Sequence, residues 1–340
     1  MRKLPVLILA ATFVCSSALA DDGAASIGAG GIILMKREPR IAMQKEVLTI
    51  GVSEVRVDYE FRNDTDEDIT TGVAFPVPGY KLDWDRYSIH QQGFDDFRLT
   101  VEGKPVHFEV EIRAKLGQRD VTDVVKKYGI DAKTFGHFDD DSHFARDIRK
   151  LSPAQRNSLV KAGIVETETY QDEAKWTVEK KYFWSQTFPA HTTLHISHRY
   201  SPAVGFGMVP DASFRAARQS ASPAERKSKD VDKDSLAEVK SVCPTDQLLN
   251  SLDRASGRSA DGYGYLQYVD FILTTANTWK QPISDFSLFV ERPVGKDGKY
   301  LVSFCWPSTV EQVGPNLFRA AATNLVPEHE LRVGFFQVGK

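Results

Sequence analysis

The chain has 340 residues, 41% of them hydrophobic, 26% charged and 11% aromatic, with 23 Gly and 16 Pro. Those fractions are ordinary for globular proteins and exclude wholesale disorder, collagen and coiled coil. The formal net charge is -3, and removing the first twenty residues, which hold Arg2 and Lys3, leaves 41 basic against 46 acidic residues, or -5. No basic surplus points to a nucleic-acid partner, and none is expected.

Residues 1–20 read as a signal peptide. Arg2 and Lys3 form a positive start, Leu4 to Val14 is an apolar run, and Ala18-Leu19-Ala20 places small residues where a signal peptidase reads them, just before Asp21. The apolar run is shorter than the roughly 20 residues that span a bilayer. Cys15 follows a bulky Val14, which does not suit lipoprotein cleavage. A periplasmic protein with no transmembrane anchor after cleavage is therefore expected. Cleavage would leave two cysteines, Cys243 and Cys305, and an even count in an oxidising compartment favours a disulfide.

The pattern after the signal is mostly period two. Gly28 to Gly31 reads as a flexible lead-in, and Lys45 to Val52 as a strand. From Glu54 to Asn63, Val55, Val57, Tyr59 and Phe61 share one face and charged residues the other, as in a half-buried antiparallel strand. Asn63 to Asp68 is a polar turn, with a returning strand that ends at Pro76. Asp96 to Val101 and Pro105 to Arg113 suggest a hairpin around Glu102-Gly103-Lys104, with Val106, Phe108, Val110 and Ile112 on one side.

Residues 116–172 read as a helical insertion. Val121, Val124 and Val125 share a helical side, and Ser152-Pro153-Ala154-Gln155 is a helix start with a capping box that should run to Gly163. Strands resume at Lys175 to Phe188 and at Thr192 to Tyr200, with Leu194, Ile196, His198 and Tyr200 inward. Pro202 to Gly207 would close a first β unit, 21–210. Residues 211–258 form a polar, partly helical connector, mobile over Ala221 to Asp234. A second β unit, 259–340, is expected to pack with the first. The fold class is mainly β, β-sandwich-like with helical insertions, α+β overall.

Candidate chemistry is sparse. His137, Asp139, Asp141 and His143 form the densest group of metal-ligand types, a possible divalent-metal site but without EF-hand spacing. His191 and His195 lie about 13 Å apart on a strand, too far to share an ion, and His198 faces the other way as a buried, hydrogen-bonded residue. No GxSxG elbow or phosphate loop occurs, and no other cofactor is expected. Among five tryptophans, Trp84 sits in the polar stretch KLDWDRY and is the candidate for exposed binding, whereas Trp176 and Trp184 lie on an apolar strand face.

The segments GGIILMK, VRVDYEFRNDTDEDITTGVAFPVPGY, YFWSQTFPA, HISHRYSP, LTTANTWKQPISDFSLFVER and LVSFC resemble a bacterial exported family known as domain of unknown function 4424. The resemblance implies export and cysteines at 243 and 305, and carries no catalytic residues. More weakly, Val55, Val57, Tyr59, Phe61, Asn63, Phe75, Pro76 and Pro78 are similar to the inter-alpha-trypsin and vault protein domain, which implies a β-sandwich. The expected function is a non-enzymatic interaction or structural role with a protein partner of the cell envelope. The alternative is an envelope hydrolase or a carbohydrate- or metal-binding protein.

Overall fold

The structure is a computed structural model that describes residues 21–28, 31–34, 37–81, 86–87, 96–132, 143–167, 172–257, 262–294 and 299–338. Among these, strands form sheets of eight, six, five and two. The eight-stranded sheet runs, in spatial order, Glu311–Gly314, Leu317–Leu325, Ile283–Glu291, Ile41–Ile50, Val55–Asn63, Thr193–Tyr200, Arg98–Val101 and Lys104–Pro105. The six-stranded sheet runs Arg119–Asp120, Glu109–Leu116, Thr177–Phe188, Ile69–Lys81, Gly23–Gly28 and Gly31–Leu34. The chain is mainly β with helical parts, as its alternation requires.

The alternating residues of the strand Val55–Asn63 do what their pattern dictates. Val55, Val57, Tyr59 and Phe61 are all buried, facing Val73, Phe75, Trp184 and Phe188 of the six-stranded sheet. Phe61 meets Phe188 edge to face at 5.8 Å between centroids. Two sheets with one apolar face each have to bury those faces together, and the result is a sandwich.

Asn63 joins the two layers at the turn. Its amide donates to Glu67 O at 2.8 Å and Phe188 O at 2.9 Å, and its Oδ1 accepts from Thr65 N and Thr65 Oγ1. The returning strand continues past Pro76 to Lys81. Its outer neighbour, Gly23–Gly28, meets this strand only at Gly72 to Ala74, so among the described residues Pro76 and Pro78 lie where one side of the strand has no ladder bonds to lose.

The supposed hairpin after Val101 divides between sheets. Lys104–Pro105 turns back on Arg98–Val101 through Glu102 and Gly103, both at positive φ, but Glu109–Leu116 pairs with Thr177–Phe188 in the other layer. Val106, Phe108 and Ile112 pack on the core, while Val110 is exposed. The two expected helices follow at Thr122–Lys127 and Pro153–Lys161, with Val124 exposed and the Ser152–Gln155 capping box formed, and a further helix, His143–Arg149, lies between them. Glycine at 163 has φ +67°, which ends the third helix.

Pro202 to Gly207 opens another strand instead of closing a unit. Val204–Pro210 pairs with Tyr263–Phe271 in the five-stranded sheet, beside Leu331–Val338 and Lys299–Phe304. In the eight-stranded sheet, Ile283–Glu291 lies parallel to Ile41–Ile50. Strands from both ends of the chain thus share one sheet, and Trp279 packs on Phe61 at 4.8 Å. Residues 211–256 form helices whose Phe214, Val239, Val242, Leu249 and Leu252 cover a second core with Leu266 and Phe336. Within the stretch read as mobile, Pro223–Arg226 is a short helix with its own Ser222–Glu225 capping box.

Candidate functional site

The residues nearest the expected cleavage point lead into the core. Gly23–Gly28 pairs with Gly72 to Ala74 and, on its other side, with Gly31–Leu34, so the stretch read as a flexible lead-in stands between paired strands, residues 29 and 30 lying outside the described residues. Gly72 permits the approach: a Cβ there would fall 2.4 Å from Ala25 O. Pairing at Gly23 draws Asp21 and Asp22 to full burial.

Both carbonyls and one carboxyl oxygen of each residue of this pair are held from other elements. Tyr59 Oη donates to Asp21 Oδ1 at 2.6 Å, and Thr275 Oγ1 donates to Asp21 O at 2.6 Å. Trp279 Nε1 donates to Asp22 O at 2.6 Å. His198 Nε2 lies 2.8 Å from Asp22 Oδ1. The imidazole is packed by Phe75, Phe97 and Trp184 at 4.9 to 5.4 Å between centroids.

Glu46 completes the group. A bulge between Met43 and Lys45 shifts the register of Ile41–Ile50 by one residue. Met43 and Ile41 face inward before it, and Glu46, Leu48 and Ile50 after it. Glu46 stands opposite Tyr59 in the ladder, with both carboxyl oxygens buried and, among the described residues, without hydrogen-bond partners. Burial pushes the Asp21 and Glu46 carboxyls well above the usual carboxylate range; the charge of Asp22 adds to the rise at Asp21, and those of Asp21 and Asp22 add to it at Glu46. Asp22 is raised by burial too, although His198 pulls it back. Burial also raises the Tyr59 hydroxyl, with Asp21 and Asp22 adding to it.

This is a cluster of ionisable groups sealed from solvent: Asp21, Asp22 and Glu46 are 0% exposed and His198 is 2% exposed. It can store charge and fix strand register, but an external substrate does not reach it in this conformation. The expected inward, hydrogen-bonded His198 is found here. His191 and His195 are exposed and each meets its own carboxylate, Asp66 at 2.8 Å and Glu102 at 3.1 Å. Trp176 and Trp184 are core residues.

Trp84 lies outside the described residues, as do His137, Asp139 and Asp141. His143 opens the helix His143–Arg149, and its side chain is likewise outside. Among the described residues no group of three or more His, Cys, Asp or Glu is placed to hold a metal ion. Asp21, Asp22 and Glu46 were not singled out by the sequence reading. The available signals were a carboxylate at an inward strand position, Glu46 with Leu48 and Ile50, and an acidic pair directly after Ala20.

Cys243 and Cys305 form a disulfide across 62 residues of chain. It ties the segment after the helix Lys233–Ser241 to the end of the strand Lys299–Phe304, beside a bond from Ser303 Oγ to Val242 O at 2.8 Å. Among the described residues no helix is long and apolar enough to cross a membrane.

The fold and site define a disulfide-linked, mainly β protein with an acidic cluster locked inside its sandwich. The chain belongs to the family described as domain of unknown function DUF4424, whose profile matches residues 20–333. The further similarity of residues 55–78 to the inter-alpha-trypsin and vault protein domain finds no support. No curated protein matches the chain. Among solved structures, a Legionella pneumophila protein proposed to be a nutrient binding protein is 13% identical, with 94% of this chain and 71% of that one covered and a TM-score of 0.40. A likeness of that size carries no argument about function.

Proposed function

We propose that this chain is an exported, periplasmic protein that acts by binding another envelope protein through its β surfaces, without catalysis of its own. The observation that carries the reading is the sealing of the cluster. The acidic cluster of Asp21, Asp22 and Glu46 with His198 is 0 to 2% exposed, so its chemistry serves the fold, and recognition is left to the surface. The Cys243–Cys305 bond suits an oxidising compartment.

A surface suited to a protein partner lies at the end of the eight-stranded sheet. The short strand Glu311–Gly314 covers Leu317–Leu325 only from Leu317 to Arg319. Beyond that, Ser308 Oγ touches Ala321 O at 3.5 Å. Unpaired strand edges offer backbone donors and acceptors to an incoming strand. Val313 on the short strand and Val326 just past the long one are 48% and 53% exposed.

The test is cross-linked capture of the mature protein from its own periplasm, read by mass spectrometry, beside an Ala321→Pro variant. Proline there removes an outward N–H while an edge position tolerates it. One dominant partner that is lost in the variant at unchanged thermal stability supports the reading. Equal capture by both proteins, or no reproducible partner, refutes it.

A further inference from the structure

The cluster around Asp21 is short of positive charge. Among the described residues, three carboxyl groups, of Asp21, Asp22 and Glu46, are withdrawn from water, and one imidazole, His198, reaches Asp22 alone. Among the described residues, Asp21 Oδ2, Asp22 Oδ2 and both Glu46 oxygens have no hydrogen-bond partner. Buried polar oxygens are rarely left in that state, and a buried carboxylate without a counter-charge is costly. The described His and acidic side chains are not disposed to share a metal ion.

The missing cation is one that the chain itself can generate. Asp21 follows Ala18-Leu19-Ala20 in the sequence. Hydrolysis of the Ala20–Asp21 peptide bond consumes one water and leaves a carboxylate on Ala20 and an α-ammonium on Asp21. Resting on the export reading above, we infer that this α-ammonium is the buried counter-ion of Glu46, Asp21 and Asp22, so that signal cleavage completes the electrostatics of the core.

The geometry restricts where that nitrogen can go. Asp21 is held through its side chain by Tyr59 and through its carbonyl by Thr275, and Asp22 is held by Trp279 and His198. Glu46 is the ladder partner of Tyr59, whose hydroxyl bonds Asp21. The new ammonium is therefore anchored beside carboxyl groups inside the sandwich. Before cleavage the same nitrogen is a neutral amide, and the carboxyls must remain protonated in its place. The precursor is accordingly the less stable fold, which suits a chain that has to be exported before it folds.

The pH dependence has a definite sign. Asp21, Asp22, Glu46, Tyr59, His198, Tyr200 and the exposed Glu330 are the titratable groups around Asp21. An α-amino group titrates near 7.7–8.0 when unfolded, and neighbouring carboxylates raise it in the fold. Its contribution is thus complete below about pH 7.7 and is lost as pH rises through the folded value. A chain lacking the ammonium has only raised carboxyls there, so its stability falls as pH climbs above the ordinary carboxyl range near 4.

The experiment compares chain 21–340 carrying a free α-amine with the same chain Nα-acetylated, each with Glu46 and with Glu46→Gln, by urea unfolding between pH 5 and 8. Acetylation is expected to raise the unfolding equilibrium constant about a hundredfold or more. Glu46→Gln should weaken the free-amine chain and leave the acetylated one nearly unchanged. Equal stability of free and acetylated chains, or an equal Glu46→Gln effect in both, overturns the inference.

Should the acetylated chain not fold, labelling carries the test. The native α-amine should react at least about a hundredfold more slowly with an acylating reagent than the unfolded one, and equal rates overturn the inference. Intact mass of the chain recovered from its own periplasm must begin at Asp21, and a different start also overturns it. Failure to capture a partner refutes only the proposed function and leaves this pairing standing.

Discussion

Removing the disulfide gives the sharpest test of how the helical segment is held. Replacing Cys243 and Cys305 together by Ser opens a loop of 62 residues. The chain-entropy relation gives about 4 kcal/mol for closing a loop of that length at 25 °C. Val242 buried against the second core and the Ser303 Oγ bond to Val242 O are kept in both forms and cancel in the comparison. A destabilisation of about 4 kcal/mol is therefore expected. Urea unfolding followed by tryptophan fluorescence measures it, against the native protein with and without a reductant. Reduced native protein and the double-Ser variant should coincide. A double variant within 0.5 kcal/mol of the oxidised protein (about the size of a neutral surface change) would show that the bond fastens a segment already held by its packing.

The other predictions concern the turn, the cluster and the segments around it. Asn63→Ala removes two donors and a doubly used acceptor at a fully buried site, and should cost about 3 kcal/mol by denaturant unfolding; a loss below 1 kcal/mol would mean that water replaces the side chain. Tyr59→Phe deprives Asp21 Oδ1 of its 2.6 Å donor and should cost about 1–3 kcal/mol, with no loss of partner capture beyond that caused by unfolding. A divalent-metal site at His137, Asp139, Asp141 and His143 predicts stoichiometric metal in protein purified without an affinity tag, lost on changing His137 and His143 to Ala; metal-free protein of full stability ends that proposal. If Trp84 is a contact residue, Trp84→Ala lowers capture of the partner or binding of a screened glycan without moving the thermal midpoint, and unchanged binding removes it.

Much of the fold was legible locally. Alternation over Glu54 to Asn63, Lys175 to Phe188 and Thr192 to Tyr200 gave correct strands with correct inward faces, because a half-buried strand must repeat every two residues. The Ser152 capping box was readable for a similar reason, since its partners are three residues apart. Local pattern could not say that Glu109–Leu116 leaves one sheet for the other. Nor could it show that Pro76 sits where its missing N–H costs nothing, since that depends on how short the neighbouring strand is.

The cluster shows the same division. His198 was identifiable because it shares an inward face with Leu194, Ile196 and Tyr200 in a run of eight residues. Its partner Asp22 lies 176 positions away, and Trp279 reaches the same residue across 257 positions. Glu46 follows the inward alternation of Leu48 and Ile50, but a bulge before it breaks the alternation from Ile41 and Met43. Sequence alone thus determined the alternating strands, the capped helices, the candidate export signal and the two cysteines, all set by neighbours along the chain. Tertiary structure alone decided that both ends of the chain share one sheet, and that the acidic pair after Ala20 is buried with Glu46. Those outcomes rest on pairings between distant segments, and burial raises these carboxyl groups above their ordinary range only once those segments meet.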